Sequence, residues 1–212
     1  MQAMSIIGNP GRWPSEFRSV YELIVGAAER AWGACRTRCN ERTREDQITR
    51  RLVILMKRDP QVRAAPHLPI VSQYELLPDH VLGDVSPKGY LDIAVLFRPE
   101  DQELYLAFEC KRLNVGSRRR SRAAEYVGRG MLRFVHAQYA RELPVGVMIG
   151  YVMDGDILFA AAAVRAEIAR CALTLLLSNA GCRDVRVPDA FATEHLRPGS
   201  TIELRHHLFS LR

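Results

Sequence analysis

Three ionisable residues interrupt apolar runs in the middle of the chain: Asp92 in Tyr90-Leu91-Asp92-Ile93-Ala94-Val95, and Glu109 and Lys111 in Ala107-Phe108-Glu109-Cys110-Lys111-Arg112-Leu113. A charge inside an apolar strand is costly unless it is paired or bound to a metal. Glu109 and Lys111 are two residues apart, so on a strand they share a face. A turn between the two runs would lay them side by side and bring Asp92 beside Glu109. Two adjacent carboxylates repel unless a cation lies between them, and their oxygens suit Mg²⁺ or Mn²⁺. A neighbouring lysine can orient a water, help to deprotonate it, or stabilise charge developing on a phosphoryl group.

The elements that must position these residues follow from periodicity. Ser15 caps a helix over Glu16 to Cys39, with Phe17, Val20, Tyr21, Ile24 and Ala28 at helical spacing. A second helix starts at Asn40 or Thr43, where Thr43 and Asp46 have capping-box spacing, and Ile48, Leu52, Leu55 and Met56 form its stripe. Strands are expected at Ile70 to Leu77, Tyr90 to Phe97, Glu103 to Leu113, Val145 to Val152 and Thr201 to Phe209. Loop is expected from Pro78 to Gly89, a turn at Arg98 to Gln102, and helices at about Arg118 to Glu142 and Ile157 to Asn179. Residues 1–14 and Thr193-Glu194-His195 read as irregular, and Asp154 and Asp156 as turn residues flanking Gly155. This order of elements implies an α/β chain with a mixed central sheet flanked by helices and an N-terminal helical extension. The expected division is residues 1–42 as an extension and 43–212 as the main domain, or one domain throughout.

Asp92, a turn and Glu109-Cys110-Lys111 resemble the Asp…Glu-x-Lys signature of the PD-(D/E)XK nuclease superfamily, which has the restriction-endonuclease-like fold. The resemblance covers about residues 43 to 152; Leu91 stands where many members have Pro. It implies a Mg²⁺- or Mn²⁺-dependent endonuclease acting on DNA, in a setting such as restriction or anti-phage defence. Asp92, Glu109 and the Cys110 carbonyl would hold the metal. An acidic residue from a preceding helix would join them, best matched by Glu45, with Glu41 and Asp46 behind it. Lys111 would act with Glu109 on the attacking water. Gln138-Tyr139 is faintly similar to a Gln/Tyr motif of exonuclease-type members.

The bulk composition fits this reading without requiring it. The 212 residues carry a formal net charge of +6, with 48% hydrophobic and 25% charged residues, which excludes wholesale disorder. Of 30 basic residues, 27 are Arg and only Lys57, Lys88 and Lys111 are Lys. The excess of Arg has an ordinary source in GC-rich coding, but an ammonium at position 111 offers a compact, tunable charge that a guanidinium does not. Arg118, Arg119, Arg120 and Arg122 form a dense run just after the signature, continued by Arg129 and Arg133, and are candidates for contacting a phosphate backbone.

His206 and His207 would face opposite sides of a strand and serve the fold. Five scattered cysteines with no CxxC pair argue against a zinc finger or a disulfide scaffold, and Cys35 and Cys39 read as buried thiols. With no basic-then-apolar N-terminal pattern, a cytoplasmic setting is expected. The apolar stretch Ile157 to Leu177 contains Arg165, Glu167 and Arg170 and is expected to face a core, not a membrane. A homodimer and a subunit of a multi-protein defence complex are both compatible with these features. The competing reading is a nuclease-fold subunit of a defence or repair complex that binds nucleic acid or a partner without cutting; an RNA-directed nuclease is a third.

Overall fold

A computed structural model describes residues 15–76, 89–98, 101–115, 121–141, 143–184, 190–197 and 200–212. Helix α1 (Ser15–Arg36) and helix α2 (Glu45–Met56) are followed by a short turn of helix α3 (Pro60–Arg63) and strands β1 (Ile70–Leu76), β2 (Gly89–Arg98) and β3 (Asp101–Leu113). Helix α4 comprises Ala123–Tyr126, a π-helical turn Val127–Met131 and Leu132–Val135. Then come β4 (Val145–Val152), α5 (Ile157–Arg170), β5 (Leu177–Asp184), β6 (Ala190–Arg197) and β7 (Ser200–Ser210).

The strands form one mixed seven-stranded sheet in the order β1-β2-β3-β4-β7-β6-β5. It consists of two antiparallel meanders, β1-β2-β3 and β5-β6-β7, joined through β4, which runs parallel to both β3 and β7. Every residue of β4 is buried, as its uninterrupted Val-Gly-Val-Met-Ile-Gly-Tyr-Val run requires of a central strand covered on both faces. Tyr151 points to the α1–α2 side, where it stacks on Trp32 at 5.5 Å and bonds Thr49 at 3.1 Å. On the opposite side Gly146 and Gly150 let α4 approach closely. A Cβ at Gly146 would lie 2.5 Å from the Phe134 ring, which is itself fully buried. Gly146→Ala is therefore expected to destabilise the fold by about 1–3 kcal/mol in urea unfolding, from overpacking alone.

The N-terminal helix shares this core. Phe17, Val20, Tyr21, Ile24 and Ala28 are all buried; the Tyr21 hydroxyl meets His207 Nε2 at 2.8 Å, and Trp32 Nε1 donates to the Ser210 carbonyl at 2.6 Å. His206 faces the other way, so the two histidines do point to opposite sides, and both are buried. Hydrogen-bond donors fix the His206 tautomer. The Leu175 carbonyl can only accept, so His195 Nδ1 carries its proton and Nε2 accepts from Thr193 Oγ1. Thr193 has then spent its only proton, so His206 Nε2 donates to it and His206 Nδ1 accepts from Tyr126. Burial holds His195 and His207 down to about 4, and His206 well below its ordinary value.

Several elements differ from the sequence expectations. Helix α1 ends at Arg36, leaving Cys39 half-buried beyond it, while Cys35 is buried. Helix α2 begins at Glu45, with no Thr43–Asp46 box. Thr43 Oγ1 instead accepts the Asn40 amide at 2.9 Å, Gln47 accepts the Arg44 amide at 3.3 Å, and Asp46 pairs with Arg44. The basic helix ends at Val135, not Glu142, and carries a π turn containing Gly128 and Gly130, residues that weaken a regular helix.

The helix expected to reach Asn179 stops at Arg170 because tertiary bonds claim the chain beyond it. The Leu175 carbonyl is taken by His195, and the Leu176 carbonyl accepts the Leu196 amide at 2.8 Å. Thr193-Glu194-His195 lies within β6, so the C-terminal part supplies three strands, not one. Asp154 and Asp156 are turn residues as read: Asp154 accepts from Asn114, and Asp156 caps α5. Residues 1–14 and most of the expected 78–89 loop lie outside the described residues. All five cysteines are free, and among the described residues no helix is long and apolar enough to cross a membrane.

Candidate active site

The site is built where β2 and β3 part. Their antiparallel register runs to Ile93↔Phe108. One step on, the Asp92 carboxylate replaces a ladder partner: its Oδ2 accepts the Cys110 amide at 2.8 Å. Its Oδ1 accepts from the Gln73 side chain at 3.1 Å. Gln73 sits in β1 with φ +55, a left-handed conformation unusual for a non-glycine residue in a strand. No sequence pattern marks Gln73, because its role depends on the pairing of β1 with β2.

Glu109, 1% exposed, projects from β3 toward α4, where a Cβ at Gly130 would lie 3.6 Å from its Cγ. The Lys111 ammonium follows on the same face. It lies 2.6 Å from Glu109 Oε1, 3.3 Å from Glu45 Oε1 and 4.0 Å from Asp92 Oδ2, and it also donates to the Cys110 carbonyl at 2.9 Å. The four residues singled out by the signature thus converge from β2, β3 and the first turn of α2. Glu45 is pinned independently by the Arg112 amide, 2.8 Å from its Oε2, and the Arg112 guanidinium bonds the Thr43 carbonyl at 2.9 Å. Glu41 turns away to Arg212 and Asp46 to Arg44.

Burial pushes the Glu109 carboxyl up, and the Asp92 charge adds to this; together they outweigh Lys111 and Arg133, leaving it at about 7. Burial acts to lower the Lys111 ammonium, but Glu109, Glu45 and Asp92 reverse the balance and raise it above its ordinary value. Near neutral pH, then, Glu109 is the group poised to exchange a proton, and Lys111 is a fixed positive charge.

Among the side chains gathered around Lys111, one buried atom is left without a hydrogen-bond partner. Glu109 Oε2 is buried and makes no hydrogen bond. An orphaned carboxylate oxygen, with the Asp92 carboxylate and the Cys110 carbonyl gathered around the same Lys111 ammonium, offers oxygen donors of the kind a hard divalent cation takes. Mg²⁺ is commonly held by one or two carboxylates, with waters and phosphate oxygens completing its shell. Among the described residues no three His, Cys, Asp or Glu side chains form a ready-made metal cluster. Glu45 meets the other carboxylates across the Lys111 ammonium, so its contacts are those of a residue that orients the lysine.

The basic candidates separate. Arg133 NH1 lies 3.4 Å from Glu109 Oε1, and the same guanidinium bonds the Tyr139 hydroxyl. Tyr139 in turn donates to the Tyr90 carbonyl at 2.6 Å, two residues before Asp92. Arg122 pairs with Glu125 at 2.8 Å, and Arg129 is exposed on α4. Arg118, Arg119 and Arg120 lie outside the described residues. Tyr139 was visible in the sequence through the Gln/Tyr similarity and as an aromatic interleaved with the arginines; its buried ring and its bonds to Arg133 and Tyr90 place it in the wall of the site. The chain matches no family model, no curated protein and no solved structure.

Proposed function

We propose that the protein is a metal-dependent nuclease of the restriction-endonuclease-like fold that hydrolyses DNA phosphodiester bonds, in a role such as restriction or anti-phage defence. The observation that carries this reading is the convergence of Asp92, Glu109 and Lys111 at the β2–β3 fork, with a buried Glu109 oxygen left unpartnered. A mixed sheet with helices on both faces is the architecture the PD-(D/E)XK resemblance implies.

Asp92, Glu109 and the Cys110 carbonyl would hold Mg²⁺ or Mn²⁺. The bound ion would supply a water of lowered pKa and offset phosphate charge. The chain's own groups supply the rest. Glu109, paired with Lys111 at 2.6 Å, acts with it to place the attacking water. Lys111, held charged by three carboxylates, stabilises negative charge on the phosphoryl oxygens. Glu45 keeps that ammonium in place, Arg133 reaches a phosphate beside the cut, and Arg129 lies farther along the same helix. Double-strand cutting with one site per chain would call for a homodimer or a partner subunit.

The test is incubation of the purified protein with plasmid, linear and single-stranded DNA, and with RNA, in Mg²⁺, Mn²⁺ or EDTA. The expected result is metal-dependent DNA cleavage, lost in Asp92→Asn, which keeps an acceptor for the Cys110 amide. Intact nucleic acid in every condition, with a mobility shift, would favour the non-cleaving binder. Cleavage confined to RNA would move the substrate class.

A further inference from the structure

Arg197, at the end of β6, is buried at 7% exposure, and no carboxylate pairs with it among the described residues. Its acceptors are main-chain carbonyls. NH1 donates to Ala140 at 2.7 Å and Arg141 at 3.1 Å, with Leu143 at 3.5 Å; NH2 donates to Phe134 and to Tyr139 at 3.2 Å. All five belong to the stretch that begins in the last turn of α4 and runs to the start of β4. Charged donors are favoured at a helix C-terminus, where carbonyls lack intrahelical partners.

The stretch needs such a clasp. Ala137 and Ala140 both have left-handed backbone, φ +56 and +50, which alanine seldom adopts unaided. Between them sits Tyr139, whose hydroxyl joins the Arg133 guanidinium to the Tyr90 carbonyl. Tyr105 assists by accepting the Ala140 amide at 3.2 Å.

We infer that Arg197 is a positioning residue for the site: by clasping the carbonyls of Phe134, Tyr139, Ala140, Arg141 and Leu143 it sets Tyr139, and through Tyr139 it aims Arg133 at the phosphate beside Glu109. This assignment rests on the nuclease reading only for what Arg133 touches; the clasp itself does not depend on it. Lysine cannot replace it, since a single ammonium with three donors cannot span five carbonyls on two sides of a planar fork.

Two measurements test it. In protein carrying 3-fluorotyrosine, the ¹⁹F resonance of Tyr139, assigned with Tyr139→Phe, is expected to move in Arg197→Met and in the milder Arg197→Lys. The resonance of distant Tyr21 is expected to stay. In EDTA, the affinity for a short DNA duplex should fall about tenfold in Arg133→Gln and in Arg197→Met, the scale of one lost charge-assisted phosphate contact. The double variant should fall no further than either single one, because residues acting through one contact are not additive. An unmoved Tyr139 resonance in folded Arg197→Lys overturns the inference, as do additive losses of affinity. If the resonance moves but the wild-type protein neither binds nor cuts DNA, the nuclease reading fails and the clasp stands. If DNA is cut normally while the resonance stays, the reverse holds.

Discussion

Lys111→Met is expected to lose cleavage by about 10²–10³-fold, the scale of removing one preorganised charge from a phosphoryl or acyl transition state. Its metal-free form is also expected to unfold more readily at pH 8, by about 1–3 kcal/mol, because a buried pair is broken but its remaining carboxyl can still take up a proton. That carboxyl is Glu109, 1% exposed and 2.6 Å from the ammonium that is removed, with Arg133 still 3.4 Å away. The two effects separate on adding Mg²⁺. A cation bound between the carboxylates would restore much of the stability while leaving cleavage low. Urea titrations with and without Mg²⁺, beside a cleavage assay, read both. If Mg²⁺ leaves the variant's stability unchanged, the carboxylates are not a cation site.

Glu109→Gln is expected to abolish cleavage and to change how stability depends on pH. In the wild-type fold the Glu109 carboxyl is raised from its ordinary 4.5 to about 7. Below 4.5 it is protonated in both folded and unfolded chains. Between 4.5 and 7 the unfolded chain ionises first, so stability is lost as pH rises; above 7 the loss is complete, about 3 kcal/mol. The buried histidines slope the other way. Their folded pKa values are depressed, so their contribution grows as pH rises from about 4 to their ordinary 6.5. That background is common to both proteins. The stability of the Gln variant minus that of the wild type should therefore rise by about 3 kcal/mol from pH 4 to pH 8. A difference that stays flat over that range would show that Glu109 ionises normally in the fold.

What could be read in advance follows from the range of the interactions. The β2–β3 hairpin was legible because two apolar runs flank a short turn, and because ionisable residues stand out within them. Strand β4 was legible as an unbroken apolar run. The α/β class and the meeting of Asp92, Glu109 and Lys111 were thus available from local pattern, whereas Glu45 was singled out only through the acidic residue that the resemblance implies on a preceding helix.

Strands β5 and β6 were not. The alanine- and leucine-rich chain after Ile157 continues a helical composition past Arg170, and only bonds from β6 to the Leu175 and Leu176 carbonyls end it. Gln73 and Arg197 were invisible for the same reason: each serves a partner far away in sequence, and Arg197 binds only main-chain oxygens, which carry no residue signature.

The bond from the Cys110 amide to Asp92 has a consequence for how such a chain could change over generations. The same carboxylate that would hold the ion also completes the hydrogen bonding of the strand next to it. A descendant that abandoned catalysis could lose Lys111 once Glu109, the buried carboxylate it neutralises, was replaced by an uncharged residue, but would keep Asp or Asn at position 92 to protect its sheet. An acid or amide retained at 92 beside a missing lysine would therefore mark a retired enzyme, and would not by itself mark a working one.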